Sequence, residues 1–389
     1  MAKSKSFFNN PIFWIVLIVV ILVIILILYF GVFTGYSVFN RPTAAKSNPI
    51  SDLTSHFLFS QRDIVYKPLF IKRADGTTLK VAVWSPMPLN TRRPLIVFSH
   101  GSSMCPYFLP DVILYLVKEK GYMVAAPDHE DRIKVCSMNN LGTINIRTLV
   151  SAISSGSTSK LNFSAPAPTA QEFLAPICKN NSGVVDCDYR LDDIELVINK
   201  MIELDKVNRI PLFSRIGKID TNKIAVAGYS LGGWAALGVA GASATHKDSR
   251  IKAVVDLDGV SIKYPTPSIF TADDLSRIDV PVMLVASDNV AYPSFFQEDE
   301  KPYIFYSWIN SKKYYIGMKD YSHISFTSLN CFMGQTMPGC NQTKEKNDVV
   351  NRYVSAFLDK YLKNSQTAET VLHTQPDSQW TTGYEYDDS

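Results

Sequence analysis

Apolar residues along this chain fall into two patterns, short runs with strand character and longer stretches with helical spacing. Val65–Ile71 and Leu79–Trp84 read as an opening hairpin, with Asp75-Gly76 as the turn signal between them. Pro94–Ser99 reads as a buried strand, Leu109–Lys120 as a helix closed by Gly121, and Tyr122–Ala126 as the next strand. Further on, Arg190–Leu204 has helical periodicity, Lys223–Ala227 is a strand and Leu231–Ala240 a helix. Ile251–Leu257, Val280–Ala286 and Lys313–Met318 are strand candidates, and Asp348–Leu362 is a closing amphipathic helix. Strands and helices alternating at these lengths predict an α/β fold, with a mostly parallel central sheet covered by helices on both faces.

Three stretches depart from that alternation. Ile12–Phe30 is an unbroken apolar run, close to the ~20 residues that cross a bilayer as a helix. It is longer than the ~7–15 apolar residues of a signal peptide, and no small-residue cleavage pattern follows Tyr29, Phe30 and Gly31. It is therefore expected to be a single transmembrane anchor. Lys3 and Lys5 precede it, while Arg41 and Lys46 follow further out. This weak asymmetry, with six cysteines all placed after the run, favours a cytoplasmic N-terminus and the remaining chain outside the cytosol. Residues 131–189 are rich in Ser, Asn, Thr and Pro and interrupt a strand-to-helix connection that is normally short, which reads as a lid-like insertion. Residues 364–389 are polar and are expected to be a flexible tail. The expected organisation is thus a short segment at 1–11, an anchor at 12–30, a linker at 31–60, a globular domain at 61–363 containing the insertion, and the tail.

Composition adds exclusions. Of 389 residues, 46% are hydrophobic and 19% charged, so a core of ordinary size is expected. The net charge of +3 comes without a clustered basic stripe, which argues against a nucleic-acid partner. No cysteines sit at a metal or redox C-x-x-C spacing. Cys178 with Cys187, and Cys331 with Cys340, are near enough in sequence to close short loops, with Cys105 and Cys136 as a third candidate pair; six free core thiols are the competing reading. No cofactor or metal is implied, and the oligomeric state is not legible.

The strongest chemical signal is Gly228-Tyr229-Ser230-Leu231-Gly232, a G-x-S-x-G pattern placed between a strand and a helix. A sharp turn there holds the hydroxyl above the sheet edge, and the glycines remove clashes that side chains would make. A serine needs a base to become a nucleophile. His323 follows the last strand candidate and precedes the closing helix, where the base belongs in a chain order of Ser, acid, His. His129, after an earlier strand, is its rival, whereas His56, His246 and His373 lie in less regular segments. The acid that orients the imidazole has two candidate sites, Asp258 after the strand Ile251–Leu257 and Asp288 after Val280–Ala286, and spacing does not separate them. Asp256 is placed as a strand residue. In Phe98-Ser99-His100-Gly101-Ser102, the loop after a strand suits an oxyanion hole, with the N–H groups of Ser102 and Leu231 as donors.

Val97–Gly101, Gly121–His129, Gly228–Gly233 and His323 together resemble the α/β-hydrolase group that contains platelet-activating-factor acetylhydrolases and bacterial predicted dienelactone hydrolases. The likeness runs from about Pro94 to Leu362, and Ser322-His323-Ile324-Ser325-Phe326 followed by Cys331 and Cys340 is closest to the bacterial members. This resemblance implies an α/β-hydrolase fold and places the acid at Leu257-Asp258, ahead of Asp288. Dienelactone hydrolases proper carry a cysteine where this chain has Ser230, which puts lactone cleavage in doubt. The resulting expectation is a membrane-anchored serine esterase acting on a small-molecule or lipid ester. A catalytically inactive binding ectodomain, or a serine peptidase or acyltransferase on the same fold, are the readings it competes with.

Overall fold

The computed structural model describes residues 64–102, 104, 106, 110–130, 187–206, 216–259, 270–289, 303–326 and 337–389. The apolar run at 12–30, His56 and nearly all of the insertion at 131–189 fall outside them. Among the described residues, no helix is long and apolar enough to cross a membrane. Of the six cysteines only Cys187 has a described side chain, which is buried and disulfide-bonded.

Nine strands form one sheet: β1 (Ile64–Lys72), β2 (Thr78–Pro86), β3 (Arg92–Ser99), β4 (Met123–Asp128), β5 (Lys218–Tyr229), β6 (Ile251–Leu257), β7 (Val282–Asn289), β8 (Lys313–Ser322) and β9 (Thr381–Asp387). Their spatial order is β1-β2-β4-β3-β5-β6-β7-β8-β9. The pairings from β4 through β8 are parallel, while β1–β2, β2–β4 and β8–β9 are antiparallel. The sheet is therefore mixed, with a parallel centre.

The parallel centre follows from the sequence. Leu95–Phe98, Ile224–Ala227 and Ala253–Val255 are continuous apolar runs, and a strand of that kind must be covered on both faces. Side chains alternate between two cores. Ile96 and Phe98 point to the face carrying helix α1 (Asp111–Lys118) and helix α6 (Met337–Lys363). Leu95 and Val97 point to the face carrying α2 (Tyr189–Lys206) and α3 (Leu231–Leu237), together with the short helices α4 (Ala272–Ser276) and α5 (Tyr303–Trp308). Helix α3 runs on into a π-helical turn, Gly238–Ala242. The opening hairpin turns at Gly76, whose φ of 86° suits glycine.

The expected flexible tail is a correction. Residues after 364 form helix α7 (Gln366–Leu372) and the edge strand β9. Only Thr381 and Tyr384 of β9 are buried, too few to stand out as an apolar pattern. What fixes this segment is aromatic and polar contact. Tyr384 packs against Tyr353 and donates to the Leu372 carbonyl at 2.5 Å. The Asp388 carboxylate accepts from Lys360 Nζ (2.6 Å), Tyr314 Oη (2.9 Å) and His373 Nε2 (2.9 Å). Loss of solvent pushes the Asp388 carboxyl up, but these bonds and the Lys360 charge outweigh it and hold the carboxyl far below its ordinary range. A group depressed in this way contributes stability that is present above its unfolded pKa, about 3.9, and is lost as pH falls below it. Asp388→Asn is accordingly expected to lower Tm by a few degrees at pH 7. The gap from the parent should narrow in melts at pH 3, whereas an equal gap at both pH values would contradict the clamp.

Candidate active site

Strand β5 ends at Tyr229 and helix α3 begins at Leu231, so Ser230 alone makes the turn, with φ 57° and ψ −129°. A non-glycine residue held there is strained and persists only when its surroundings over-determine it. They do so here. The Ser230 N–H donates to the Leu257 carbonyl at 3.0 Å, and its carbonyl accepts from Gly233 N at 2.8 Å. The neighbouring positions have no room for a side chain. A Cβ at Gly228 would strike the Gly232 carbonyl, one at Gly232 the carbonyls of Ser99 and His100, and one at Gly233 the Asp256 carboxylate. Asp256 is a buried strand residue, and its Oδ1 accepts from Gly259 N at 2.9 Å.

His323 follows β8 and opens a 3-10 turn, His323–Phe326. Its Nε2 lies 3.0 Å from Ser230 Oγ and its Nδ1 2.7 Å from Asp258 Oδ2. A carboxylate only accepts, so Nδ1 carries the proton and Nε2 is left to accept from the Ser230 hydroxyl. Asp258 is buried at the end of β6, with φ 58°. Its Oδ1 accepts from Ser287 N–H (2.9 Å) and its Oδ2 from Ser287 O–H (2.7 Å). The side chains brought together are thus Ser230, His323 and Asp258. Asp288 is exposed, and its Oδ1 accepts from Tyr321 N–H at 3.1 Å instead. Tyr229 lies against the His323 ring, with centroids 4.9 Å apart, and donates its hydroxyl to the His323 carbonyl at 2.9 Å. Ser287 and Tyr229 carried no sequence signal for these roles. They act through side-chain contacts that only the tertiary fold creates.

His129, the rival base, belongs to a second trio. Its Nε2 is 2.9 Å from Ser99 Oγ and its Nδ1 2.9 Å from Asp193 Oδ2. Ser99, His129 and Asp193 are all buried. Arg73 clamps Asp193 with two bonds, Nε at 2.7 Å and Nη2 at 2.9 Å. Burial pushes the Asp193 carboxyl up, but the bonds from His129 and Arg73 prevail and hold it below its ordinary value. The same residue types therefore occur twice. Only the Ser230 set sits at a strand-to-helix elbow, whereas Ser99 is the last residue of a central strand and pairs with Gly228 of β5. His246 contacts Ser243 and Asp192 and joins neither trio, and His373 belongs to the C-terminal clamp.

The two oxyanion candidates occupy backbone positions next to Ser230. Leu231 is the first residue of α3, and Ser102 lies in the loop after β3. That loop abuts the elbow, since any Cβ on Gly101 would press on the Tyr229 ring and Met104 Sδ. One candidate metal-holding cluster, Glu369, His373 and Asp388, occurs among the described residues. Lys360 already bonds both of its carboxylates.

Comparison with known proteins gives one family match. The sequence profile described as "PETase: PET hydrolase-like" matches residues 139–382, more than half the chain, including Ser230, Asp258 and His323. No curated protein matches. Among solved structures, a ferulic acid esterase from Streptomyces cinnamoneus shares 19% identity, covering 82% of this chain and 95% of its own, with a TM-score of 0.49.

The tightness of the elbow has a measurable consequence. Gly232→Ala is expected to cost well above the ~1–3 kcal/mol of ordinary overpacking, because the atoms in the way are backbone. Gly76→Ala, where nothing lies within reach of the new methyl, should cost only the ~1–2 kcal/mol of left-handed strain. Urea titration of both variants measures the difference, and equal costs would contradict the account.

Proposed function

The chain belongs to the PET hydrolase-like family of α/β hydrolases, and from that premise we propose that it hydrolyses carboxylic esters by a serine mechanism. The observation that carries this reading is the relay from Ser230 Oγ through both nitrogens of His323 to Asp258. As the Ser230 oxygen bonds to the ester carbonyl carbon, His323 Nε2 takes its proton and the carbonyl electron pair moves onto oxygen. The N–H groups of Ser102 and Leu231 receive that oxyanion. The electron pair then returns, the C–O bond to the alcohol breaks, and His323 passes its proton to the leaving alkoxide. Water repeats the sequence on the acyl-enzyme, releasing the carboxylic acid and restoring Ser230. Asp258, held by Ser287, keeps Nδ1 protonated and stabilises the imidazolium.

The family's description makes esters of aromatic acids one substrate class for this site, beside the short-acyl and lipid esters that an anchored enzyme would meet. The narrower likeness to platelet-activating-factor acetylhydrolases rests on the motifs around His100, Ser230 and His323. The apolar run Ile12–Phe30 supports anchoring in a membrane, with the catalytic domain outside the cytosol.

A panel of p-nitrophenyl acetate, butyrate and longer esters, with a hydroxyethyl terephthalate ester, tests the reading. Ser230→Ala should lose ~10³-fold or more in kcat. Asp258→Asn should lose ~10²–10⁴-fold, as expected when the base adopts the wrong tautomer. Asp288→Asn should stay within a few-fold of the parent. Full turnover by Ser230→Ala would overturn the mechanism, and loss on Asp288→Asn alone would overturn the assignment of the acid.

A further inference from the structure

The loop that carries Ser102 is held from behind by a buried cation. Arg190, in the first turn of α2, is fully buried. Its Nη1 donates to the His100 carbonyl at 2.6 Å and to Ser99 Oγ at 3.4 Å, and its Nη2 donates to the Gly101 carbonyl at 3.4 Å. The Gly101 carbonyl also accepts from His100 Nδ1 at 2.8 Å and from Met104 N at 3.2 Å. His100 Nε2 accepts from His129 N at 3.1 Å, so this ring is a neutral imidazole with its proton on Nδ1. Two consecutive peptide carbonyls are therefore turned toward one guanidinium. In a planar trans peptide the N–H points opposite to the C=O. Turning the His100 and Gly101 carbonyls toward Arg190 thus turns the N–H groups of Gly101 and Ser102 away from it. The elbow abuts the same loop, with Gly232 against the Ser99 and His100 carbonyls and Gly101 against the Tyr229 ring.

We propose that Arg190 is a positioning residue for ester hydrolysis, fixing the peptide plane that presents the Ser102 N–H to the oxyanion. This rests on the reading of Ser230 as nucleophile. The bonds from Arg190 to the His100 and Gly101 carbonyls let it act on the site through the backbone. Its planar fork is what allows one side chain to hold two successive carbonyls, and a lysine ammonium cannot reproduce that geometry. The buried Ser99–His129–Asp193 trio extends the same support, since His129 grips Ser99 and, through its own N–H, sets His100.

The test separates transition-state binding from folding and from substrate binding. Full-length parent, Arg190→Lys and Arg190→Gln are compared for kcat and KM on p-nitrophenyl butyrate. They are also compared for inhibition by an alkyl trifluoromethyl ketone, whose carbonyl carbon accepts Ser230 Oγ and whose oxygen becomes an oxyanion. Concentrations are normalised to sites titrated with a fluorophosphonate. We expect kcat to fall ~10–100-fold with KM nearly unchanged, and ketone affinity to weaken by a similar factor. Arg190→Lys should restore stability more than it restores kcat. Variants that melt lower yet keep parental kcat and ketone affinity per titrated site would overturn the proposal and leave Arg190 a structural residue.

If neither variant folds, the unmutated protein decides. Its Ser102 amide proton should move downfield when the ketone adduct forms, and an unmoved Ser102 resonance would overturn the proposal. A parent that neither turns over esters nor binds the ketone would overturn the serine-hydrolase reading itself, and this inference with it.

Discussion

No side chain fits at position 232. The backbone of the elbow passes so close to the end of β3 that a single methyl there would strike the carbonyls of Ser99 and His100. This close approach is the constraint from which the site follows. It brings the strand-to-helix turn that carries Ser230 beside the loop that carries Ser102, so candidate nucleophile and candidate oxyanion donors come from neighbouring parallel strands without a long loop being ordered. It also explains why strain at Ser230 is tolerated. The residue sits with positive φ between backbone bonds to Leu257 and Gly233, and the glycines on either side of it leave no room for a side chain. The alternating burial of β3 and β5 sets the spacing, since two full cores clamp these strands from both faces.

Much of this was legible in the amino-acid sequence, and for a physical reason. Strands buried on two faces are apolar throughout, so Leu95–Phe98 and Ile224–Ala227 stand out, and a G-x-S-x-G pattern between such a strand and a helix points to an elbow. The His323 position follows from chain order. Edge strand β9 did not stand out because an edge buries little. Thr381 and Tyr384 are its only buried residues, and its stability comes from Tyr384 against Tyr353 and from Asp388 against Lys360.

The acid was undecided for a different reason. Asp258 and Asp288 follow adjacent parallel strands at equivalent ends, and one-dimensional spacing treats them alike. What separates them is backbone conformation and a neighbour. Positive φ at Asp258 accompanies a carboxylate directed to His323, and Ser287 on the next strand fixes it there with two bonds. Asp288 is exposed, and its Oδ1 accepts from the Tyr321 N–H instead. Residue types alone mislead in the same way. Ser99, His129 and Asp193 repeat the trio at almost the same distances, yet all three are buried and none stands at a strand-to-helix elbow. The elbow at Ser230 and the partly exposed ring of His323, against the fully buried His129, distinguish the two sets.

On the proposed mechanism Ser230, and not its counterpart Ser99, is the activated hydroxyl. Treatment of the full-length protein with a fluorophosphonate, followed by intact-mass measurement and peptide mapping, tests it most directly. The account predicts one adduct per chain, on the peptide containing Ser230, abolished in Ser230→Ala. No adduct at neutral pH, or an adduct mapped to Ser99, would contradict it.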